Sequence, residues 1–221
     1  RTSMNINMAK RSGIDLSNVS WAKGKESTKN KIIINEMQQI SFLEVIHSKK
    51  EENESTFLAV ASSQYPVIYI FNEDHQNISR LISHTMGISS LFSFGSELFS
   101  GSNDMSTKMW DIEKGVTKLC LNYHNDNVTA ITSGMFMNKL ITFTGGKDGV
   151  IKCWCITDKK SLFEIRIDDK FVPIQMIFLT NKNHDSAILK IISCYVDDNS
   201  MDDLSLNATL YHRYQILSYE F

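Results

Sequence analysis

Two segments of the chain carry the same ordered set of residues at the same spacing, and an internal repeat of that kind restricts the fold more tightly than composition does. "SNDMSTKMWDIEKG" and "GGKDGVIKCWCITDKK" superpose with Asp104 on Asp148 and Trp110 on Trp154, both pairs 44 residues apart. Upstream, "SGIDLSNVSWAKG" repeats the six-residue step from aspartate to tryptophan at Asp15 and Trp21, and Trp21 lies 89 residues, about two periods, before Trp110. The copy between them is "FLAVASSQYPVIYIFN", where Phe71 takes the tryptophan position and Tyr65 the aspartate position. That copy keeps the apolar rhythm and loses the polar markers.

Inside a repeat, apolar residues alternate over short stretches bounded by Gly, Asn, Asp and Ser, which is the period of a strand and not of a helix. The best-preserved unit predicts four strands at 88–93, 97–102, 107–112 and 116–121, with Gly95, Asn103–Asp104 and Lys114–Gly115 supplying turn chemistry. The next unit predicts 128–133, 139–144, 150–155 and 161–166, and the preceding one 41–46, 57–62, 67–72 and 78–83. A divergent last unit is expected to use 172–179, 187–195 and two strands within 208–220. The stretch "IINEMQQISFLEVIHS" also fits a helical period at several positions.

The "SGSNDMSTKMWD" segment (100–111), preceded by "SHTMGISSL", resembles a WD repeat of a β-propeller, whose blades are four-stranded sheets packed radially. The specific part of the resemblance is 84–155. It implies an all-β propeller of about four complete blades plus a partial N-terminal one. Residues 1–40 would be a partial upstream blade and loop, 41–83 a degenerate blade, 84–123 and 124–170 two WD-type blades, and 171–221 a divergent last blade. A ring of seven such units needs about 300 residues, more than this chain has, so the ring is completed by residues outside it or by a partner, or is smaller or open. The resemblance also implies a structural network of histidine, hydroxyl, aspartate and indole: His84, Ser100, Asp104 and Trp110, then His124, Thr144, Asp148 and Trp154.

The same residue types could serve a Ser/His/Asp hydrolase. No G-x-S-x-G elbow surrounds Ser100 or Ser102, however, and the set recurs with threonine and with tryptophan each time. A buried indole N–H and imidazole each cost about 1–3 kcal/mol without partners, so a linked donor–acceptor chain explains the pattern as architecture. Cys153 and Cys155 flank Trp154 with no second Cys/His pair to complete a zinc site, and "TGGKDG" (144–149) lacks the lysine–serine ending and the following helix of a phosphate loop. His47, His75, His184 and His212 are scattered. No cofactor or metal is expected.

Composition narrows the partners. A chain of 221 residues with 42% hydrophobic content can bury a core, and no apolar run approaches the roughly 20 residues of a membrane-spanning helix. The net charge of -2 offers no general attraction for nucleic acid or anionic membrane. The basic 1–31 segment and the acidic "YVDDNSMDDLSLN" (195–207) read as solvated loops. Four cysteines set in apolar runs read as free thiols, giving an intracellular expectation, cytoplasmic or nuclear, in which the sequons at Asn18, Asn53, Asn77, Asn127 and Asn207 stay unmodified.

The expected function is a non-enzymatic protein-interaction scaffold or substrate-recruiting propeller in a larger complex, with Met86, Asn103, Asn127 and Lys147 as contact candidates on loops that the family places on one side. An accessory propeller of a kinase or ubiquitin ligase is the alternative. A cullin-adaptor receptor fits less well, because the family places an arginine two residues after the "WD" aspartate and this chain has Glu113.

Overall fold

The computed structural model describes residues 39–50, 53–74, 76–122, 124–167, 170–195 and 214–221. Asp15, Trp21, His75, His212, Asn18, Asn207 and the expected strand around 208–213 lie outside the described residues. The described residues form fifteen strands in four antiparallel sheets and no helix.

Sheet 1 is a meander of β1 (Phe42–Lys50), β2 (Asn53–Ala61), β3 (Val67–Phe71) and β4 (Asn77–Ile82). Sheet 2 follows with β5 (Ile88–Phe94), β6 (Glu97–Ser102), β7 (Ser106–Asp111) and β8 (Val116–Asn122). Sheet 3 holds β9 (Val128–Phe136), β10 (Lys139–Gly146), β11 (Val150–Cys155) and β12 (Lys160–Arg166). Sheet 4 is formed by β13 (Phe171–Thr180), β14 (Ala187–Tyr195) and β15 (Tyr214–Glu220). Of the two strands expected within 208–220, β15 is one, and the remainder of that stretch lies outside the described residues. One correction to the sequence reading follows: the strands expected at 41–46 and 57–62 are longer. The β1–β2 pairing runs on to Lys50 opposite Asn53, so main-chain bonding in a tight hairpin extends these strands past their apolar stretch.

Alternation along each strand gives every sheet two apolar faces, and three layers of core separate the four sheets. Ile46, Ala59, Ile68 and Ile70 of sheet 1 meet Ile88, Leu98 and Trp110 of sheet 2. Phe99 and Leu121 of sheet 2 meet Val128, Ile131 and Trp154 of sheet 3. Ile141, Phe143, Ile151 and Cys153 of sheet 3 meet Met176, Leu189 and Ile191 of sheet 4. The first strand of each sheet, β1, β5, β9 and β13, lines a shared cavity of about 450 Å³.

Polar side chains stitch these inner strands together. Glu44 Oε1 accepts from Ser93 N–H and Ser93 Oγ–H, both at 2.8 Å, tying β1 to β5. Ser89 Oγ donates to the Val128 carbonyl, tying β5 to β9, and Phe178 N–H donates to Thr132 Oγ1 at 3.2 Å, tying β9 to β13.

Candidate functional site: two clasps under the upper loops

In sheet 2 the connection from β4 to β5 carries His84, β6 carries Ser100, the β6–β7 turn carries Asp104, and β7 carries Trp110. Ser100 is fully buried and Trp110 is 1% exposed. Trp110 Nε1–H donates to Ser100 Oγ at 2.7 Å, His84 Nε2 meets the same oxygen at 2.8 Å, and His84 Nδ1 meets Asp104 Oδ2 at 2.8 Å. A carboxylate only accepts, so Nδ1 carries the proton and Nε2 is left to accept from Ser100 O–H. Each group then donates once in one direction, from indole to hydroxyl to imidazole to carboxylate, and none is stranded. Asp104 also takes the Thr85 N–H (2.9 Å) and the Ser106 N–H (3.0 Å), so one side chain fixes both the incoming loop and its own turn.

Sheet 3 repeats the arrangement. Trp154 Nε1–H donates to Thr144 Oγ1 at 3.0 Å, His124 Nε2 meets that oxygen at 2.8 Å, and His124 Nδ1 lies 3.2 Å from Asp148 Oδ1. Asp148 takes the Asn125 N–H at 2.8 Å, as Asp104 takes that of Thr85. In sheet 1 the hydroxyl and the indole disappear together: the register puts Val60 at the Ser100 position and Phe71 at the Trp110 position, and both are buried. An apolar pair there needs no polar partner, which keeps the degenerate repeat foldable.

The electrostatics follow the geometry. Burial pushes the His84 imidazole below its usual 6.5, with the Asp104 bond and charge opposing it. For Asp104, burial works against ionisation, but bonds from Ser106, Thr85 N–H and His84 prevail and hold its carboxyl below the usual 3.8. Asp148 is held low in the same way by His124, the Asn125 N–H and the Val150 N–H against its burial. Burial raises the Cys153 thiol to about 12, with the charge of Cys155 adding to it, so this thiol is inert as a nucleophile at neutral pH.

Two participants, Ser106 and Glu44, escaped the sequence reading, and Ser102, weighed there only as an alternative to Ser100, takes a separate place beside it. Ser106 Oγ donates to Asp104 Oδ1 at 2.6 Å and reaches His84 Nδ1 at 3.3 Å, giving sheet 2 a fifth member that Val150 cannot provide in sheet 3. A hydroxyl two residues after a turn aspartate was the available signal. Ser102 Oγ contacts the Met86 and Gly87 carbonyls at 3.0 and 2.9 Å, whereas its sheet 3 counterpart, Gly146, has no space for a side chain: a Cβ there would stand 2.4 Å from Asp148 Oδ1 and 2.5 Å from His124 Nδ1. Glu44 had no local signal, because its partner Ser93 lies 49 residues away.

The four contact candidates sit over these clasps. Met86 is 54% exposed and Lys147 is exposed, while Asn103 and Asn127 are half-buried. Asn103 N–H donates to the Gly87 carbonyl at 3.0 Å and Lys147 N–H to the Asn127 carbonyl at 2.8 Å, so each turn is bonded to the loop that enters its own sheet. The structure brings the candidates to one side, which we call the upper face. Met105, 44% exposed at φ 67°, joins them.

A family model described as WD domain, G-beta repeat matches residues 75–111, the stretch that holds the first clasp. Among solved structures, the crystal structure of the computationally designed Ika4 protein is similar, with a TM-score of 0.56 at 16% identity over 86% of this chain and 98% of that one, a likeness of fold alone. No curated protein matches the chain in sequence. A WD repeat thus spans the first clasp, in a chain whose four antiparallel sheets line one cavity and whose fold is similar to that of the designed protein.

Proposed function

We propose that the chain is a non-enzymatic protein-interaction scaffold that recruits peptide segments of other proteins to its upper face within a larger intracellular assembly. One observation carries this reading: both hydroxyl–imidazole–carboxylate sets are closed by a tryptophan, with Ser100 and Thr144 fully buried. A nucleophile needs an open approach to its oxygen, and these oxygens already hold two partners each. The groups left for recognition are Met86, Lys147 and the turn asparagines, held on rigid strands by the clasps.

The test is affinity capture with the full chain, comparing wild type with the Met86→Glu/Lys147→Glu double variant by mass spectrometry. The expected result is loss of a defined partner set with an unchanged denaturation midpoint. An unaltered partner set would reject the upper face as the recognition surface, and ester hydrolysis that disappears in Ser100→Ala would reverse the non-enzymatic reading.

A further inference from the structure

The repeat does not close every junction between sheets in the same way. Gly115 and Lys159 lie 44 residues apart and hold the same place after the tryptophans of their sheets, both in the left-handed region at φ 69° and 53°. Between sheets 1 and 2, Gly115 packs so near β4 that a Cβ would stand 2.9 Å from Ser79 Oγ. Between sheets 2 and 3, Lys159 instead lines an open crevice of about 200 Å³, walled by Leu119 and Leu121 of β8 and by Lys152, Trp154 and Glu164 of sheet 3.

One wall of this crevice is apolar and the other is charged. Leu121 and Trp154 are buried and Leu119 is half-buried. Lys152, only 9% exposed, sets its Nζ on Glu164 Oε1, and that bond holds the Glu164 carboxyl below its usual 4.5 against desolvation. The two charges cancel. Lys159 then leaves one positive charge over. Its neighbours Lys139 and Lys160 both reach Asp158, at 2.7 and 3.5 Å, whereas Lys159 has no ion pair among the described residues. Glycine holds a left-handed backbone with less strain than lysine, so the fold itself does not call for a cation here. One positive charge beside an apolar wall matches a ligand with one negative charge and an apolar body. A cavity of roughly 150 Å³ holds benzene, so the space suits a single ring with its carboxylate and not a stretch of polypeptide.

We propose that the crevice between β8 and sheet 3 binds a small monocarboxylate, with its carboxylate on the Lys159 and Lys152 ammonium groups and its apolar body against Leu119, Leu121 and Trp154. An ammonium has three donors, so Lys152 can serve Glu164 and the ligand together. The site is separate from the upper face and stands without it.

The probe is sodium benzoate, followed by heteronuclear NMR on the full chain. Saturable shifts of the Leu119, Leu121 and Lys159 amides and of the Trp154 indole N–H are expected, with a dissociation constant of about 1 mM or tighter. Benzamide keeps the ring without the charge and acetate the charge without the ring, and each should bind at least about threefold more weakly. Lys159→Gly installs the residue that sheet 2 uses at this place, so the fold persists while benzoate affinity falls about threefold or more. Lys159→Glu turns the surplus charge negative. It should abolish the benzoate shifts and produce them with benzylamine, an exchange that a merely structural role would not give. The proposal is overturned by shifts that do not saturate by about 20 mM benzoate, by shifts confined to residues outside the crevice, or by undiminished binding in Lys159→Gly. Tighter binding of N-acetylglycylphenylalanine than of benzoate would overturn it in favour of the C-terminal residue of another protein.

Discussion

Replacing Ser100 with alanine removes one oxygen that two buried groups depend on. Trp110 Nε1–H would lose its acceptor at 2.7 Å and His84 Nε2 its donor at 2.8 Å. At about 1–3 kcal/mol for each buried group left without a partner, the loss is about 2–6 kcal/mol. The hole left by a hydroxyl is smaller than the roughly 30 Å³ a water occupies in the liquid, so solvent does not take over the bonds. Trp110→Phe alone leaves Ser100 O–H still donating to His84. The Ser100→Ala/Trp110→Phe pair strands only the imidazole, because the indole N–H has gone with its acceptor. The double variant should therefore be more stable than the sum of the two single losses by about 1–3 kcal/mol, the cost of one stranded N–H. Urea denaturation followed by far-UV circular dichroism measures all three variants without relying on tryptophan emission. Additive losses, or a Ser100→Ala loss under about 0.5 kcal/mol, would refute the directional chain from indole to carboxylate.

Three further outcomes follow from the same geometry. Gly146→Ala should cost about 1–3 kcal/mol in urea, because the new methyl would separate His124 from Asp148, whereas Ser102→Ala at the equivalent position meets no such clash. Met105→Gly should raise stability by about 0.5–1 kcal/mol in the same assay: its φ of 67° is left-handed, its side chain is 44% exposed, and Gly149 holds the equivalent place in sheet 3 at φ 69°. Because burial lowers the His84 value in the folded chain, the unfolded chain binds the proton first, and stability should fall as pH drops below 6.5. A second decline should set in below 3.8, where Asp104 and Asp148 are protonated more readily in the unfolded chain. Denaturation midpoints from pH 8 to 3 check this, and a His84→Gln variant that keeps the full upper decline would contradict the role given to His84.

The repeat made sheets 2 and 3 readable almost strand for strand, because their turns are marked by Gly95, Gly115 and Gly149, all at positive φ, and by Asp104 and Asp148. Where turn markers are missing the reading weakened. In sheet 1 the polar ends of β1 and β2 pair through main-chain bonds that carry no hydrophobic signal. The helical period noticed near the start of β1 has no counterpart among the described residues, where residues 42–50 form a strand. The described strands of sheet 4 carry neither indole nor imidazole to fix a register, His184 lying in the β13–β14 turn, and β13 is interrupted by a shift between Pro173 and Gln175 that a strict alternation does not predict. Contacts between sheets, such as Glu44 with Ser93, depend on how repeats stack and leave no trace in the spacing within one repeat.

The clasps also bear on recognition. Asp104 and Asp148 each bond to the amide of the residue after their histidine, Thr85 and Asn125. Met86 follows Thr85 directly, and Asn127 lies two residues beyond Asn125. Ordering a free loop costs about 1–2 kcal/mol of backbone entropy per residue at the moment of binding. A loop already fixed by folding escapes that cost, so any partner of the upper face meets a preformed surface. A clasp variant that stays folded should therefore bind such a partner more weakly although it touches nothing on it. The loss should appear as a less favourable binding entropy, and it should be larger for Asp104→Ala, which frees both the loop and the turn of sheet 2, than for Trp110→Phe, which leaves the Thr85 bond in place.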